Sequence, residues 1–397
     1  MKGNERKPHI GILGRRNAGK SSFLNYISGQ QLSIVSPTAG TTTDPVSKSM
    51  ELLGIGPVVW IDTAGIDDEG ELGTQRVARS LEVLPQCDLV VLIFTAEQFG
   101  SPEVSIIDRC KESKIPILPI CSKCDILSPA DKKNLPENTL FYNIFDKSQL
   151  ETIQKRIREE LPESAYVHKS LLGDIIKRGD NIVLVCPIDS SAPEGRLILP
   201  QVQVIRDILD HGAKAFVCQV DELQQTLDDL KQQPTLVITD SQAFAKVSTI
   251  VPPEIPLTSF SIVLARAKGL FDQYIKGTFK LDSLQEGDRI LMLESCTHTV
   301  TCEDIGRNKL PKLIQKHSGR NLEFDCVAGL SALTRPICDY ALVIQCGGCV
   351  VTPKQLSSRL SPALSAGIPV SNYGLALAHI NGILKRSIEP FTDNNKE

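Results

Sequence analysis

Residues 9–22 read HIGILGRRNAGKSS, and this stretch decides the fold. It predicts a short apolar strand that leads into the pattern G-x-x-x-x-G-K-S and then into an amphipathic helix beginning near Phe23, which is the context that a phosphate-binding loop requires. Gly14 and Gly19 let backbone N–H groups converge on phosphate oxygens, and the helix dipole directs its positive end at the same charge. The stretch therefore predicts a P-loop domain that binds a nucleoside triphosphate.

The side chains of this loop have distinct expected roles. Lys20 is expected to reach the β- and γ-phosphate oxygens, and the Ser21 hydroxyl to ligate Mg²⁺. The polar loop SPTAGTTTDP (36–45) lies where a GTPase has its first switch, and Thr42 is expected to complete the Mg²⁺ shell. The other loop residues expected to contact the nucleotide are Asn17, Ala18, Gly19 and Ser22, and the predicted catalytic set is Lys20, Asn17 and Thr42.

Two later motifs point to guanine nucleotides. The strand PVVWIDTAG (57–65) ends in D-x-x-G, where Asp62 would hold Mg²⁺ through water and Gly65 would donate its N–H to the γ-phosphate. The strand IPILPICSKCD (115–125) ends in a variant of N-K-x-D, in which Asp125 accepts from the N1–H and N2 amino groups of guanine and Lys123 keeps its place. Ser122 replaces the asparagine and is too short to copy both amide hydrogen bonds, so weaker base specificity is expected.

Composition and charge limit which partners and which compartment are expected for this protein. The 397 residues carry 43 Lys and Arg against 47 Asp and Glu, a net charge of −4 with no basic run, so neither nucleic acid nor a membrane is an expected partner. The first strand follows a polar start without a signal-like apolar segment, which favours a cytoplasmic protein. Twelve cysteines in a reducing compartment are expected to be buried hydrophobes, metal ligands or redox groups.

The chain is predicted to be an α/β protein of three consecutive domains: a P-loop GTPase domain at 8–162 and two small parallel-sheet βαβ domains at 165–270 and 271–390. Strand-like NIVLVCPI, AKAFVCQV and PTLVITDS alternate with helix-like segments in the second domain, which reads as an interaction module. There, Asp189, Lys214 and Asp240 at strand ends are more simply explained as solvated or paired charges.

The third domain contains the strongest cysteine pattern. DRILMLESCTH (288–298) and YALVIQCGGC (340–349) are strands whose carboxyl ends would share one crevice. Three interpretations compete: a redox CGGC pair, which leaves part of the pattern unexplained, a closed zinc site, and an iron–sulfur cluster with one open iron. The candidate ligands are Cys296, His298, Cys346 and Cys349. Other cysteines, namely Cys121 and Cys124 together with Cys302, Cys326 and Cys338, show no supporting pattern.

GRRNAGKSS with Asn17, followed by AGTTTD and DTAGI, resembles the translation-factor-class GTPases of the TrmE–Era–Der group. In that group, an asparagine at this P-loop position marks enzymes in which a K⁺ ion supplies the positive charge that an arginine finger supplies elsewhere. The resemblance therefore implies that Asn17 helps to hold a K⁺ ion. Ile66 stands where Ras-like proteins have the glutamine that orients water, so slow hydrolysis is expected.

The whole chain resembles the HydF family, GTPases that mature FeFe-hydrogenase, through PIDSSAPEGRLILPQVQVIRDILDHG, IPLTSFSIVLARAKG, ESCTH, DIGRNKLP and SNYGLALAHINGILKRSIEPF. The resemblance implies a dimerising middle domain and a 4Fe-4S cluster bound through C-x-H…H-C-x-x-C, matched by Cys296, His298, Cys346 and Cys349. The sequence departs from this pattern at Gln345, where the family has histidine.

The resemblance further implies a scaffold role. Radical-SAM partner enzymes would build a di-iron precursor, this protein would hold it transiently beside the 4Fe-4S cluster, and apo FeFe-hydrogenase would receive it. The expected assembly is a homodimer or tetramer, with GTP/GDP, Mg²⁺ and K⁺ operating the switch. The runner-up is a regulatory GTPase of ribosome or tRNA processing with a structural zinc domain.

Overall fold

The computed structural model describes residues 7–28, 46–52, 55–63, 65–66, 81, 83–124, 135–166, 170–188, 197–295, 305–329, 331, 333 and 335–392. The chain divides into two compact units, Met1–His168 and Lys169–Glu397. Within the described ranges, no helix combines the length and the apolar character that crossing a membrane would take.

The first unit is built on a six-stranded sheet in the order β2-β3-β1-β4-β5-β6. Only the pairing of β2 with β3 is antiparallel among the described strand pairs. The strands are β1 His9–Leu13, β2 Val46–Leu52, β3 Gly56–Asp62, β4 Leu89–Phe94, β5 Ile117–Cys121 and β6 Leu140–Phe141. The helices are α1 Lys20–Ser28, α2 Ser101–Glu112, α3 Leu150–Glu160 and α4 Glu163–Tyr166.

The apolar strands predicted from the sequence are confirmed here. Every residue of β4 is buried, as a central parallel strand covered on both faces requires. Trp60 on β3 packs edge-on against Phe23 of α1, with ring centroids 6.4 Å apart, and Phe23 in turn contacts Tyr142. The helix after the loop begins at Lys20 rather than near Phe23, so the lysine lies in its first turn.

The second unit contains two four-stranded sheets, and every strand pair described in them is parallel. The first has the order β10-β9-β7-β8, from β7 Asn181–Val185, β8 Lys214–Cys218, β9 Leu236–Thr239 and β10 Leu257–Ser259. The second has the order β12-β11-β13-β14, from β11 Arg289–Leu293, β12 Glu323–Val327, β13 Leu342–Gln345 and β14 Val370–Asn372. The α/β fold class with parallel-sheet units behind a P-loop domain is thus confirmed.

Helices cover these two sheets: α5 Leu199–Asp210, α6 Leu223–Asp229, α7 Phe244–Ile250, α8 Phe260–Ala267, α9 Phe271–Thr278, α10 Leu310–Ser318, α11 Pro353–Ser365, α12 Tyr373–Ile380 and α13 Leu384–Thr392. A short π-helix, Ile305–Lys309, precedes α10.

One hydrophobic core runs through this unit from Leu172 to Phe391. Helix α13 is also tied to the first of these sheets by polar contacts, since Thr258 Oγ1 on β10 donates to the Ser387 carbonyl on α13 at 2.9 Å. Arg386 adds hydrogen bonds to the carbonyls of Val251, Pro252 and Ile255. A domain boundary near residue 270 remains a prediction within this single compact unit.

Candidate functional sites

The phosphate-binding loop has a backbone that its sequence dictates. Gly14 has a φ of 152°, and a Cβ there would lie 2.0 Å from the Ile93 carbonyl oxygen, so only glycine fits. Gly19 has a φ of 97°. Asn17 is exposed and left-handed, with a φ of 58°, a conformation that asparagine tolerates better than most residues. The loop is therefore preformed around the start of α1.

Lys20 lies at the centre of this loop. Its Nζ donates to the carbonyls of Gly14 at 2.7 Å and Arg15 at 2.9 Å. Asp62 at the end of β3 is 6 % exposed, and burial raises the pKa of its carboxyl while the charges of Lys20 and Lys48 oppose that shift. Gly65 is buried as well. The loop lysine and the D-x-x-G carboxylate thus act on one another electrostatically, as a site for a Mg²⁺-bound triphosphate requires.

The predicted Mg²⁺ ligand Ser21 and its neighbour Ser22 are half-buried in the first turn of α1, and Ala18 is fully buried. The backbone N–H of Ile66, next to Gly65, donates to the Gly14 carbonyl at 3.3 Å. This bond joins the D-x-x-G segment to the P-loop. Thr42 lies outside the described residues.

A buried ion pair supports the loop from α2. Arg15 Nε and Nη2 donate to the two carboxylate oxygens of Glu103 at 2.8 and 3.0 Å, and the Glu103 side chain is fully buried. Glu103 Oε2 also accepts from the Gly100 N–H at 2.9 Å and caps the helix. Because the Arg15 carbonyl accepts from Lys20, this pair positions the loop that holds the lysine. The sequence motifs did not reveal it.

Ser122 faces the phosphate loop. Its buried hydroxyl lies 2.7 Å from the Ala18 carbonyl oxygen, to which it donates, and 3.2 Å from that of Phe94. Lys123 follows with a left-handed φ of 54°. Ser122 therefore connects the end of β5 to the P-loop, which is one of the contacts that an asparagine could make from this position. Asp125 lies outside the described residues.

The second candidate site lies at the carboxyl ends of β11 and β13. These strands are adjacent and parallel, with Leu293 opposite Gln345, and the Cys346 N–H donates to the Leu293 carbonyl at 2.9 Å. Cys346 Sγ accepts from the Ser295 N–H at 3.1 Å and lies 3.2 Å from Ser295 Oγ. The two strand ends thus bring Ser295, which directly precedes Cys296 in the sequence, into contact with Cys346. Cys296 and His298 themselves lie outside the described residues.

Gln345 supports the Cys346 sulfur. Its Nε2 donates to Ser295 Oγ at 2.8 Å and to Cys346 Sγ at 3.2 Å, and its side chain is fully buried. Asn372 at the end of β14 donates to the Gln345 and Cys346 carbonyls at 3.2 and 3.3 Å. A turn with Gly348 at a φ of 67° then leads to the half-buried Cys349. The amide at position 345 is therefore a structural donor.

Two arginines complete the support of this edge. Arg359 donates to the carbonyls of Glu294 at 2.6 Å and Val327 at 2.8 Å, and burial lowers the pKa of its guanidinium. Arg307 forms an ion pair of 2.9 Å with Glu294, whose side chain is 4 % exposed. These contacts fix the ends of β11 and β12 beside Cys346. Glu294 and Arg307 belong to the segments ESCTH and DIGRNKLP, but neither segment indicated this ion pair, and no motif pointed to Arg359.

The described donors fit a thiolate-bound metal group. N–H groups of Ser295 and Gln345 point at Cys346 Sγ, and such hydrogen bonds stabilise thiolate and tune iron–sulfur clusters. A zinc ion would accept the same thiolates. The remaining buried acceptor, Gln345 Oε1, has no hydrogen-bond partner among the described residues.

Comparison with known protein families assigns all three parts of the chain. Residues 9–123 match the model of the 50S ribosome-binding GTPase, residues 171–269 that of the hydrogen maturase F dimerization domain, and residues 272–390 that of the hydrogen maturase F tetramerization domain. The two hydrogen maturase F models together cover more than half of the chain.

Curated relatives match the GTPase part. The tRNA modification GTPase MnmE of Streptococcus agalactiae serotype III (strain NEM316) is 31 % identical over 150 residues, 37 % of this chain and 32 % of MnmE. GTPase Der of Chloroflexus aggregans (strain MD-66 / DSM 9485) is 35 % identical over 132 residues, 32 % of this chain and 29 % of Der. The chain thus spans about a third of the length of these relatives.

Among solved structures, the crystal structure of Era with MgGDPNP and nucleotides of 16S ribosomal RNA aligns with a TM-score of 0.35 at 20 % identity, covering 53 % of this chain and 92 % of that one. The P-loop geometry, the GTPase match and the two consecutive maturase domains lead to one conclusion: this chain carries a GTPase domain and belongs to the hydrogen maturase F (HydF) family.

Proposed function

We propose that this protein is a scaffold and carrier in FeFe-hydrogenase maturation, which holds a 4Fe-4S cluster and delivers a di-iron precursor to apo-hydrogenase under the control of GTP hydrolysis. The observation that carries the proposal is the contact of Ser295 with Cys346 Sγ, because Ser295 is the residue that precedes Cys296 in the sequence and Cys346 begins the C-G-G-C motif. Membership of the HydF family supports the maturation role.

The GTPase half of the proposal rests on the P-loop. The ammonium group of Lys20 donates hydrogen bonds to two loop carbonyls. On GTP binding, Lys20 exchanges these bonds for phosphate oxygens, and Ser21, Thr42 and water on Asp62 would hold Mg²⁺. Ile66 is buried and carries no polar group, so no side chain at that position can orient the attacking water. Slow hydrolysis follows from this, and the resemblance to the TrmE–Era–Der group implies that a K⁺ ion held with the help of Asn17 speeds it.

The iron–sulfur half of the proposal rests on the cysteine edge of the second unit, by which we mean the carboxyl ends of β11 and β13 with the cysteines that follow them. Cys296, Cys346 and Cys349 would hold the cluster, and His298 lies close enough in sequence to Cys296 to approach the fourth iron. A cluster with three thiolates supplies one iron with an exchangeable position. Gln345 and Ser295 donate hydrogen bonds to Cys346 Sγ and keep it oriented toward the group.

The switch and the partners follow from the same proposal. Contacts of the γ-phosphate order the two loops around Thr42 and Gly65, and hydrolysis releases them, which gives partners two states to distinguish. The partners proposed are the radical-SAM maturation enzymes, apo FeFe-hydrogenase and a second copy of this chain. The two HydF domains support an oligomer, either a dimer or a tetramer.

Metal analysis tests this proposal. The full-length protein is purified and reconstituted without oxygen, and iron, sulfide and zinc are measured per chain for wild type, Cys346→Ser, Cys349→Ser and Lys20→Ala. We expect four iron and four sulfide in wild type, loss of the cluster in both serine variants, and an unchanged cluster in Lys20→Ala, which loses GTP hydrolysis.

Stoichiometric zinc without iron in the reconstituted wild type would contradict the proposal and favour a structural zinc domain on a regulatory GTPase of ribosome or tRNA processing. A full cluster in Cys349→Ser would equally contradict the assigned ligands.

A further inference from the structure

Two imidazoles and one carboxylate converge at a second place in the HydF part of the chain. Asp282 lies in the 3₁₀ turn Phe279–Ser283, His317 in the last turn of α10, and His379 in the last turn of α12. Both Nε2 atoms reach the same oxygen, Asp282 Oδ1, at 2.9 Å from His317 and 2.8 Å from His379. The three ligand atoms lie within 4.8 Å of one another.

This cluster lies at the amino ends of the strands of the sheet, whereas Cys346 and Cys349 follow a carboxyl end. Cys346 follows the carboxyl end of β13, whereas Asp282 precedes the amino end of β11. The helices α10 and α12 each follow the carboxyl end of a strand, either directly or after a loop, and run antiparallel to the strands. Their last turns therefore lie near the amino ends of the strands. The three side chains therefore form a site of their own, separate from the cluster edge.

The two imidazole rings are held in place by their neighbours. The rings of His317 and His379 meet edge to face, with centroids 5.5 Å apart, and Phe279 packs on His379 with centroids 5.6 Å apart. Asp282 remains half-exposed and His317 is 27 % exposed, so an ion and its water ligands can reach the three atoms from solvent. Fixed rings with an open side are what a metal site with exchangeable positions needs.

The distances suit a metal ion. Ligands that lie about 2.0–2.1 Å from an ion are about 2.9 Å apart when they meet at a right angle. The two Nε2 to Oδ1 distances of 2.9 and 2.8 Å already match this spacing. A set of two imidazoles and one carboxylate, without thiolate, suits divalent first-row transition metals with water in the remaining positions.

We propose that Asp282, His317 and His379 bind one divalent first-row transition-metal ion. Each imidazole would ligate the ion through its Nε2 lone pair, and the proton that this Nε2 donates to Asp282 Oδ1 would move to Nδ1 or to solvent. The ion would then tie the turn before β11 to the ends of α10 and α12. The site does not rest on the iron–sulfur proposal, because none of its atoms lies on the cysteine edge.

The test measures zinc by equilibrium dialysis and elemental analysis of the full-length protein, both as wild type and in a Cys296→Ser, Cys346→Ser, Cys349→Ser background. We expect one equivalent of Zn²⁺ more in each protein than in the matching Asp282→Asn, His317→Ala or His379→Gln variant. His211→Ala is the matched control, since His211 Nδ1 lies 3.9 Å from the Asp207 carboxylate and no second imidazole joins this pair among the residues that the structure describes. The His211→Ala variant should retain this equivalent of Zn²⁺.

Cobalt and thermal unfolding give independent readouts. In the triple-serine background Co²⁺ should give weak visible bands without thiolate charge transfer, and these bands should vanish in Asp282→Asn. Zn²⁺ should raise the unfolding temperature of wild type and His211→Ala but not that of Asp282→Asn, whose side chain is 53 % exposed and tolerates replacement. Equal zinc content in wild type and all three ligand variants would overturn the site, as would visible Co²⁺ bands in the triple-serine background that survive Asp282→Asn unchanged.

Discussion

Separating Arg15 from Glu103 should destabilise the GTPase unit asymmetrically. Arg15→Met leaves a fully buried carboxylate with the Gly100 N–H as a remaining donor, and removal of one partner from a buried ion pair costs about 3–5 kcal/mol. Glu103→Gln leaves a guanidinium that is 23 % exposed and can be hydrated, so we expect only about 1–2 kcal/mol, the scale of lost hydrogen bonds.

Trp60 makes this difference measurable. It is the single tryptophan of the chain and is fully buried on β3, so its emission reports unfolding of the GTPase unit. With a urea dependence of about 2 kcal/mol per M, the unfolding midpoint should fall by about 2 M in Arg15→Met and by less than about 1 M in Glu103→Gln.

Asp108→Asn on the same helix is the matched control. The Asp108–Lys111 pair is 3.8 Å apart with both side chains mostly exposed, and such pairs contribute less than about 1 kcal/mol. The reasoning is refuted if Arg15→Met shifts the midpoint no further than Asp108→Asn, or if Glu103→Gln is the more destabilising of the two pair variants.

Three further outcomes are expected. Asn17→Gly keeps the left-handed backbone but removes the side-chain oxygen, so it should bind GTP yet lose the faster hydrolysis in K⁺ than in Na⁺; a retained K⁺ preference would show that Asn17 is only a turn former. Ser122→Asn should tighten GTP binding and increase the preference for GTP over ATP in competition titrations, whereas two unchanged values would contradict the weakened contact at this position. Burial raises the pKa of the Cys110 and Cys186 thiols to about 12, so at pH 8 iodoacetamide should label the exposed Cys338 and not these two in peptide mapping; rapid labelling of Cys110 would refute its burial.

The long apolar strands could be predicted from sequence because parallel central strands are buried along their whole length. The strands that the sequence did not reveal are short or partly polar. VSKSMEL forms β2 at an antiparallel edge, and β10 and β14 have three residues each, too few to show a period. The formation of these three strands depends on pairing with the adjacent strands β3, β9 and β13.

The P-loop residues could be predicted because one backbone conformation requires a contiguous pattern. The supports of both sites could not, since Glu103 reaches Arg15 from 88 positions away and Ser295 meets Cys346 across 51. Asp282, His317 and His379 likewise share no spacing signature and meet only because α10 and α12 end at the same edge. Contacts of this kind arise from topology, which short motifs do not encode.

Activation of apo-hydrogenase tests the central claim most directly. The protein is produced together with the radical-SAM maturation enzymes, purified without oxygen away from them, and mixed with apo FeFe-hydrogenase, after which hydrogen evolution is measured. The account predicts that wild type activates the hydrogenase, that protein produced without the maturation enzymes does not, and that Cys346→Ser fails in both cases. Equal activation by Cys346→Ser, or none by wild type that carries a full 4Fe-4S cluster and di-iron cargo, would contradict the role as carrier.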